Sequence, residues 1–137
     1  MNRTDLQRMA VQHLDAARSL VRSGHWGSAY YLAGYSVECG LKACVARQFR
    51  EHDFPDLEVV RASYTHKLPD LVKIAGLAQQ LSNALAWSDD FKVNWATVKD
   101  WSPESRYKER SEIEARGIIR AIEIKPNGVL EWITQYW

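Results

Sequence analysis

This chain has few residues that could act as nucleophiles or bind a metal ion, and their spacing suits neither role. Cys39 and Cys44 lie five positions apart in a stretch that predicts a helix, where side chains at that spacing point to different sides. We predict that both thiols are reduced and partly buried, because mid-helix positions in an apolar stretch favour packing over activation. The four histidines are scattered and have no His or Cys partner at ligand spacing, so the sequence predicts no metal site.

The glycines do not form a known phosphate-binding motif either. No glycine-rich loop follows a predicted strand, which argues against both the Rossmann fingerprint and the Walker loop. We therefore expect no cofactor, and a bound nucleotide would have to be held in another way.

Glu38 is the polar residue that carries the most information. It is the only acid between His25 and Arg50, in a stretch otherwise dominated by small, aromatic and apolar residues. One interpretation is an exposed ion pair with Lys42, one helical turn later, worth a few tenths of a kcal/mol. The other is a carboxylate partly buried in a seam between helices, where a cation from another helix pairs with it.

The elements that must position these residues are predicted to be helices. Thr4 and Gln7 form a capping-box pattern that starts a first helix over residues 5–23. Apolar residues at helical spacing predict a second, unusually long helix over residues 26–50. Proline and acidic residues break the period over residues 51–65, which predict a loop or a short irregular segment.

The second half of the chain predicts shorter helices. A short helix follows His66, and one or two further helices are broken near Ser88. Ser111 and Glu114 form a second capping-box pattern ahead of a late amphipathic helix. A turn at residues 126–128 then precedes a short apolar helix at the C-terminus. The fold class is therefore all-α, an antiparallel bundle of about five helices.

Length and composition predict one domain over residues 1–137, with 46% hydrophobic and 26% charged residues. The N-terminal stretch carries scattered charges and no later stretch approaches a membrane span, so a cytoplasmic location and no membrane partner are expected. The net charge of +1 hides a basic N-terminal part, a mild sign of an anionic partner.

The aromatic residues allow two interpretations, base stacking or core packing. Four of the six tryptophans lie in apolar runs that favour the core or a dimer interface, namely Trp95, Trp101, Trp132 and Trp137. A bundle this rich in Trp and Ile predicts more apolar surface than one monomer covers, so we expect a homodimer.

Three segments together resemble the HEPN-domain family. The run AYYLAGYSVECGLKACVA is similar to the family's second helix, in which an Ala-rich, aromatic-containing run is followed by Glu and then Leu-Lys-Ala. HKLPDLV, from His66, is similar to the His-x-Leu that opens the next helix, and SRY at residues 105–107 resembles the Arg-Tyr before the last long helix. The resemblance covers most of the chain. It implies an antiparallel helical bundle, usually dimeric, associated with nucleotide or RNA binding.

Many members of that family are ribonucleases, often toxins paired with a small nucleotidyltransferase-like antitoxin. Their active motif is an Arg followed, about four to six residues later, by a His. Arg106 stands where that Arg is expected, but no His follows it. Arg61 and His66 match the spacing formally in RASYTH, yet they lie in the mid-chain segment, and we interpret the match as coincidental.

Metal-free RNA cleavage needs a base for the 2′-hydroxyl proton, a cation for the phosphate and an acid for the leaving oxygen. Arg106 is the candidate cation, and Tyr107 or His66 are the candidates for proton transfer. An ordinary Tyr pKa is near 10 and His66 equally suits a hydrogen bond at a helix start, so catalysis is not the preferred interpretation.

The sequence thus favours a binding module for RNA or a nucleotide, acting with a nucleotidyltransferase-like partner. The alternatives are a metal-independent ribonuclease toxin and a structural protein that binds no nucleic acid. The expected ligand-binding residues are Glu38, Lys42, Arg106 and Tyr107. Glu38 and Arg106 are predicted to pair across the groove between the second helix and the start of the late helix.

Overall fold

The computed structural model describes all 137 residues, and its only regular elements are helices. They are α1 (Arg3–Arg22), α2 (Trp26–Arg47), α3 (Leu57–Ala62), α4 (Leu68–Ile74), α5 (Ala78–Trp87), α6 (Asp89–Val98), a 3₁₀ helix (Pro103–Tyr107), α7 (Glu112–Glu123) and α8 (Val129–Thr134). The all-α prediction is confirmed. None of the helices combines the length and the apolar character that crossing a membrane requires.

The predicted number of about five helices is too low, since the chain forms eight α-helices. One reason is α3, which forms inside the segment predicted to be a loop, where the Asp56 side chain accepts a hydrogen bond from the Glu58 backbone N–H. The other is that the break predicted near Ser88 divides this region into two helices, since Ser88 ends α5 and caps α6 by accepting from the Phe91 backbone N–H at 3.1 Å. Side-chain caps make such short helices possible.

The first helix begins earlier than predicted. Asn2 is its N-cap and accepts from the Asp5 backbone N–H at 2.9 Å, while the Asp5 carboxylate accepts from the Asn2 backbone N–H at 3.2 Å. This reciprocal pair satisfies two free donors at the helix start. The capping box is therefore Asn2–Asp5, and the Thr4–Gln7 assignment was wrong.

Helix α2 is the centre of the bundle. A short turn joins it to α1, and because two helices joined by a short turn and packed on each other form an antiparallel hairpin, they run in opposite directions. The His13 and Tyr35 rings lie 4.9 Å apart at the middle of the two helices. Twelve of its 22 residues are buried, against α1, α4, α7, α8 and the 3₁₀ helix. It ends at Arg47, three residues before the predicted end, 50.

Small residues on α2 let two neighbouring segments approach closely. A Cβ added to Gly40 would lie 3.1 Å from Ile133 of α8, and one added to Gly34 would lie 2.1 Å from the Trp101 ring. Because only glycine leaves this space, the backbone of α2 itself forms part of both contacts. The second contact places the 3₁₀ helix, which follows Trp101, against α2.

The late part of the chain follows the predicted pattern. Ser111 and Glu114 form the predicted capping box of α7, whose inner face is buried through Ala115, Ile118, Ile119 and Ile122. Trp95, Trp101 and Trp132 are buried in the core, as predicted, and Trp137 is half-buried against it.

Both cysteines are free and buried, which confirms the prediction for them. Burial raises the pKa of each thiol to about 12. For Cys39 the neighbouring Glu38 carboxylate adds to the rise and Lys42 opposes it. A thiol that keeps its proton in this way is a poor nucleophile at neutral pH.

Candidate functional site

The Glu38 carboxylate is buried in the middle of α2, with only 1% of the residue exposed. Its Oε1 atom lies 2.9 Å from Lys42 Nζ, one helical turn later, and 2.8 Å from Nδ1 of His66. Its Oε2 atom is buried without a hydrogen-bond partner. A buried carboxylate is costly unless it is paired, so the two basic side chains account for its presence in the core.

His66 reaches Glu38 because helix α4 packs on α2. Leu68, Leu71 and Val72 of α4 are all buried at or near 0% exposure, and His66 stands two positions before the first of them. The His66 side chain remains 56% exposed. One ring nitrogen therefore contacts the buried acid while the rest of the ring lies at the surface.

This arrangement fixes which nitrogen of His66 carries a hydrogen. An ionised carboxylate only accepts hydrogen bonds, so Nδ1 donates to Glu38. In the neutral ring, Nε2 is then left as a hydrogen-bond acceptor. In this pair the Glu38 carboxylate thus holds the His66 imidazole, a potential base, in one tautomer.

Arg106 lies in the 3₁₀ helix and is exposed. Trp101, which precedes that helix and packs on Gly34, and Ser105, which lies within it and is 3% exposed, are both buried. The Arg106 guanidinium carbon lies 4.8 Å from the centre of the Tyr107 ring, a cation–π contact. Interaction with Tyr107, and to a smaller extent with Tyr31, raises the pKa of Arg106. An arginine side chain keeps its charge at neutral pH in any case.

His66 and Arg106 line the same surface cleft, which we call the His66 cleft. Its lining residues come from α2, the segment before α4 and the 3₁₀ helix: Tyr31, Thr65, His66, Lys67, Ser102, Pro103, Glu104 and Arg106. Lys67 and Arg106 supply two permanent cations and Glu104 one acid. The cleft is therefore positively charged, and a titratable imidazole stands in its wall.

A second groove adjoins the first and shares Arg106 with it. This Tyr107 groove is lined by the start of α2 and the chain ahead of α7: His25, Trp26, Gly27, Ser28, Arg106, Tyr107, Lys108, Glu109 and Arg110. Tyr107 is 76% exposed, and the Arg110 guanidinium lies 4.0 Å above the Tyr30 ring. Cations and exposed rings side by side suit phosphate contacts combined with base stacking.

The predicted ion pair between Glu38 and Arg106 is not formed. Glu38 pairs with Lys42 and His66 instead, while Arg106 contacts Tyr107 at the surface. The Lys42 pair exists as predicted, but in a buried rather than an exposed setting. Packing of α4 on α2 brings His66 to the carboxylate, whereas the 3₁₀ helix leaves Arg106 on the outer rim.

The two residues of the formal RASYTH match line different surfaces. Arg61, on α3, lies in a shallow groove with Asp70 and Lys73, and His66 lies in the cleft that bears its name. Their spacing in the sequence therefore does not place them in one cleft.

Tyr31 belongs to the site but was not predicted from the sequence. A signal for it exists, since Tyr31, Tyr35, Glu38 and Lys42 follow one another at four, three and four positions, which places them on one face of α2. The Tyr31 and Tyr35 rings stack with centres 6.0 Å apart, and Tyr31 lies 5.9 Å from Trp101. Lys67 was likewise missed, because nothing in its local sequence marks it.

The structure contains no cluster of three or more His, Cys, Asp or Glu side chains arranged to hold a metal ion. Comparison with known proteins adds no relative: no family model matches the chain, and no match was found among the curated proteins or the solved structures. What this chain does must be inferred from its own residues and geometry.

Proposed function

We propose that this chain is a HEPN-like binding module, an up-and-down helical bundle that recognises RNA or a nucleotide through the His66 cleft and the adjoining Tyr107 groove. Three segments that resemble the family support this, and all three carry site residues. Glu38 and Lys42 come from the first segment, and His66 opens the second. Arg106 and Tyr107 come from the third.

The observation that carries the proposal is the shared lining of the His66 cleft. His66 and Lys67 come from one segment and Arg106 from another, 39 positions after Lys67, and they meet at one surface. Phosphate oxygens are the expected ligands of such a group of cations. The exposed Tyr107 ring beside Arg106 offers a face on which a base can stack.

The test is RNA binding by the Arg106→Gln variant, measured by fluorescence anisotropy with a labelled single-stranded oligonucleotide at several salt concentrations. Loss of one phosphate contact should weaken binding. It should also reduce the slope of log affinity against log salt concentration by about one, because one counterion fewer is released. Arg50→Gln, an exposed arginine outside both clefts, is the matched control. Equal affinity and equal salt slope in both variants would contradict the proposal.

A metal-independent ribonuclease is the second candidate, favoured by the 2.8 Å contact between His66 and Glu38. In this reaction Nε2 of His66 takes the proton of the 2′-hydroxyl, and the oxygen attacks the adjacent phosphorus. The bond from phosphorus to the 5′-oxygen breaks, and the hydroxyl of Tyr107, the other candidate for proton transfer, gives its proton to that leaving oxygen. Arg106 stabilises the charge that builds up on the phosphate.

The ribonuclease hypothesis is tested by incubating the protein with RNA in the presence of EDTA. Cleavage that is lost in His66→Asn but kept in His52→Asn, an exposed histidine, would establish it. RNA that stays intact while it binds to the protein would leave the binding module as the function.

We further propose that the module acts as a homodimer and with a nucleotidyltransferase-like partner. Large apolar side chains that stay exposed on the monomer, such as Val11, 47% exposed, and Ile113, 83% exposed, support a protein–protein contact. Growth arrest on expression of this chain, relieved by a neighbouring nucleotidyltransferase-like protein, would favour the toxin alternative. Failure to bind any RNA or nucleotide would favour a structural protein.

A further inference from the structure

A cleft between α5, α6 and α8 has a chemistry opposite to that of the two cationic clefts. We call it the aromatic cleft, since four rings line it: Trp87, Phe91, Trp132 and Tyr136. The Phe91 and Trp132 ring centres are 5.6 Å apart, and those of Trp132 and Tyr136 are 5.5 Å apart. Its volume is about 520 Å³, within the range of sites that bind small ligands or side chains.

The charge of the aromatic cleft is negative. Glu131 is the one charged residue in its lining, and no Lys, Arg or His lines it. Residues 74–91, which include α5 and the start of α6, also contain no basic residue. Near the end of this segment, Asp89 and Asp90 add two acids just before Phe91. Arg47 approaches Tyr136 but donates to its backbone oxygen. The chain as a whole has a net positive charge, yet the lining of its aromatic cleft contains no cationic residue.

Aromatic faces next to a carboxylate attract organic cations, above all guanidinium and ammonium groups. Repulsion from the phosphates of a nucleic acid is expected at the same place, because Glu131 has no basic neighbour in the lining. The ligand chemistry of this cleft is thus distinct from that of the His66 cleft.

The polar groups of the lining are mainly side-chain amides. They belong to Gln80, Asn83, Asn127 and Gln135. Each amide offers both donors and an acceptor, which matches the alternating N–H and C=O groups of a peptide backbone. The Oε1 atom of Gln80 is shielded from solvent and has no hydrogen-bond partner within the chain.

Trp87 stands at the rim of the cleft and is 81% exposed, whereas Trp132 in the wall is 6% exposed. A small free amine would leave the Trp87 ring uncovered. A peptide segment could cover it, and an exposed Trp beside a pocket is a common centre of protein–protein binding energy.

We propose that the aromatic cleft binds a basic segment of a partner protein, with an Arg or Lys side chain held among the four rings beside Glu131. The amides then bond the backbone of that segment, and Trp87 covers it. This site is separate from the nucleic-acid clefts and does not depend on their function.

The experiment is an NMR titration of the full chain, following the indole N–H signals of its tryptophans. The probes are the blocked peptide acetyl-Gly-Arg-Gly-Arg-Gly-amide and its counterpart with neutral citrulline in place of Arg. The arginine peptide should shift the signals of Trp87 and Trp132 and bind at least about tenfold more tightly than the citrulline peptide.

Trp87→Ala and Glu131→Gln should each weaken binding of the arginine peptide by about tenfold. Tyr64→Ala and Glu58→Gln are the matched controls, since both residues are exposed and lie outside the cleft. Circular dichroism of each variant checks its fold. Arg106→Gln should leave peptide binding unchanged, which separates this site from the proposed RNA site.

Three results would overturn the proposal. The first is equal binding of the arginine and citrulline peptides, and the second is a loss in the control variants as large as in Trp87→Ala. The third is guanidinium chloride alone binding as tightly as the peptide, which would make a small cation the ligand instead of a protein segment.

Discussion

Glu38 shows how one residue can serve both the fold and the site. Its carboxylate is buried beside two basic groups, and one of these, His66, reaches the surface cleft. Lys42 is 23% exposed and can regain water if the acid is removed. Loss of the acid is therefore expected to cost less than loss of a partner from a wholly buried ion pair.

Glu38→Gln should lower the free energy of unfolding by about 1–3 kcal/mol, the cost of leaving buried polar groups poorly paired. Combined with Lys42→Met in a double-mutant cycle, it should show a coupling above about 1 kcal/mol. Combined with Arg106→Gln, the effects should add within about 0.5 kcal/mol, because those side chains do not pair. Urea unfolding measures all three values, and strong coupling to Arg106 would contradict the structure.

The buried thiols make stability depend on pH in the alkaline range. Burial raises the pKa of Cys39 and of Cys44 from 9.0 to about 12, so the folded chain keeps protons that the unfolded chain releases. This contribution is fully present below pH 9 and is lost as the pH rises from 9 to about 12. We expect the urea midpoint to fall over that range.

The control is a variant with Cys39→Ala and Cys44→Ala, whose stability should depend less on pH between 9 and 11 than that of the parent. Burial also raises the pKa of Tyr35, so part of the fall should remain in the variant above pH 10. Identical pH profiles for the parent and the variant would show that the thiols titrate normally in the folded chain.

At the scale of elements, the glycines of α2 and α7 have opposite roles. Gly34 gives space to the Trp101 ring, whereas Gly117 on α7 is exposed, and a Cβ added to it would have no neighbouring atom within 4 Å. Glycine inside a helix costs about 1 kcal/mol relative to alanine. At Gly34 the glycine is needed because the Trp101 ring packs against it. At Gly117 no neighbouring atom requires a glycine.

Gly34→Ala should lower the stability by about 1–3 kcal/mol, since its Cβ would lie 2.1 Å from the indole and overpack the contact. Gly117→Ala should raise the stability by up to about 1 kcal/mol. Thermal unfolding of the two variants measures both changes in stability, which should have opposite signs. Because Trp101 leads into the 3₁₀ helix, Gly34→Ala should also weaken RNA binding, and unchanged binding would show that this contact does not position Arg106.

At the scale of the whole molecule, the charged and aromatic surfaces are separated. The Tyr107 groove lies at the start of α2, and the aromatic cleft includes Tyr136, which contacts Arg47 at the end of α2. The length of α2 therefore separates a surface suited to anions from one suited to cations. A nucleic acid and a basic partner segment could occupy the molecule together.

The proposed homodimer is the prediction that belongs to this scale. Sedimentation equilibrium at micromolar concentration should give about twice the chain mass of 15.8 kDa. Ile113→Lys should shift the equilibrium towards monomer if the exposed start of α7 contributes to the contact. A monomer throughout that concentration range would contradict the dimer.

Local sequence patterns predicted most of the helices and several of their ends. Apolar periodicity located α1, α2 and α7, and Ser111 with Glu114 marked the start of α7. Gly24, with a φ of 80°, stands in the turn after α1, where a left-handed backbone favours glycine. These signals act within one or two helical turns, so they can be read without knowing the fold. The helix count was too low because a single side-chain cap at Asp56 allows the short helix α3 to form within the predicted loop.

Which residues meet across the bundle depends on how the helices pack in three dimensions. Glu38 and His66 are 28 positions apart, and their contact depends on how α4 packs against α2. The position of the 3₁₀ helix leaves Arg106 on the rim rather than on the acid. Trp87 stays exposed, while three other tryptophans are buried in the core. The local sequence determines which side chains each helix carries. The angles and depths at which helices pack decide which of them share a cleft, because those depend on contacts spread over the whole chain.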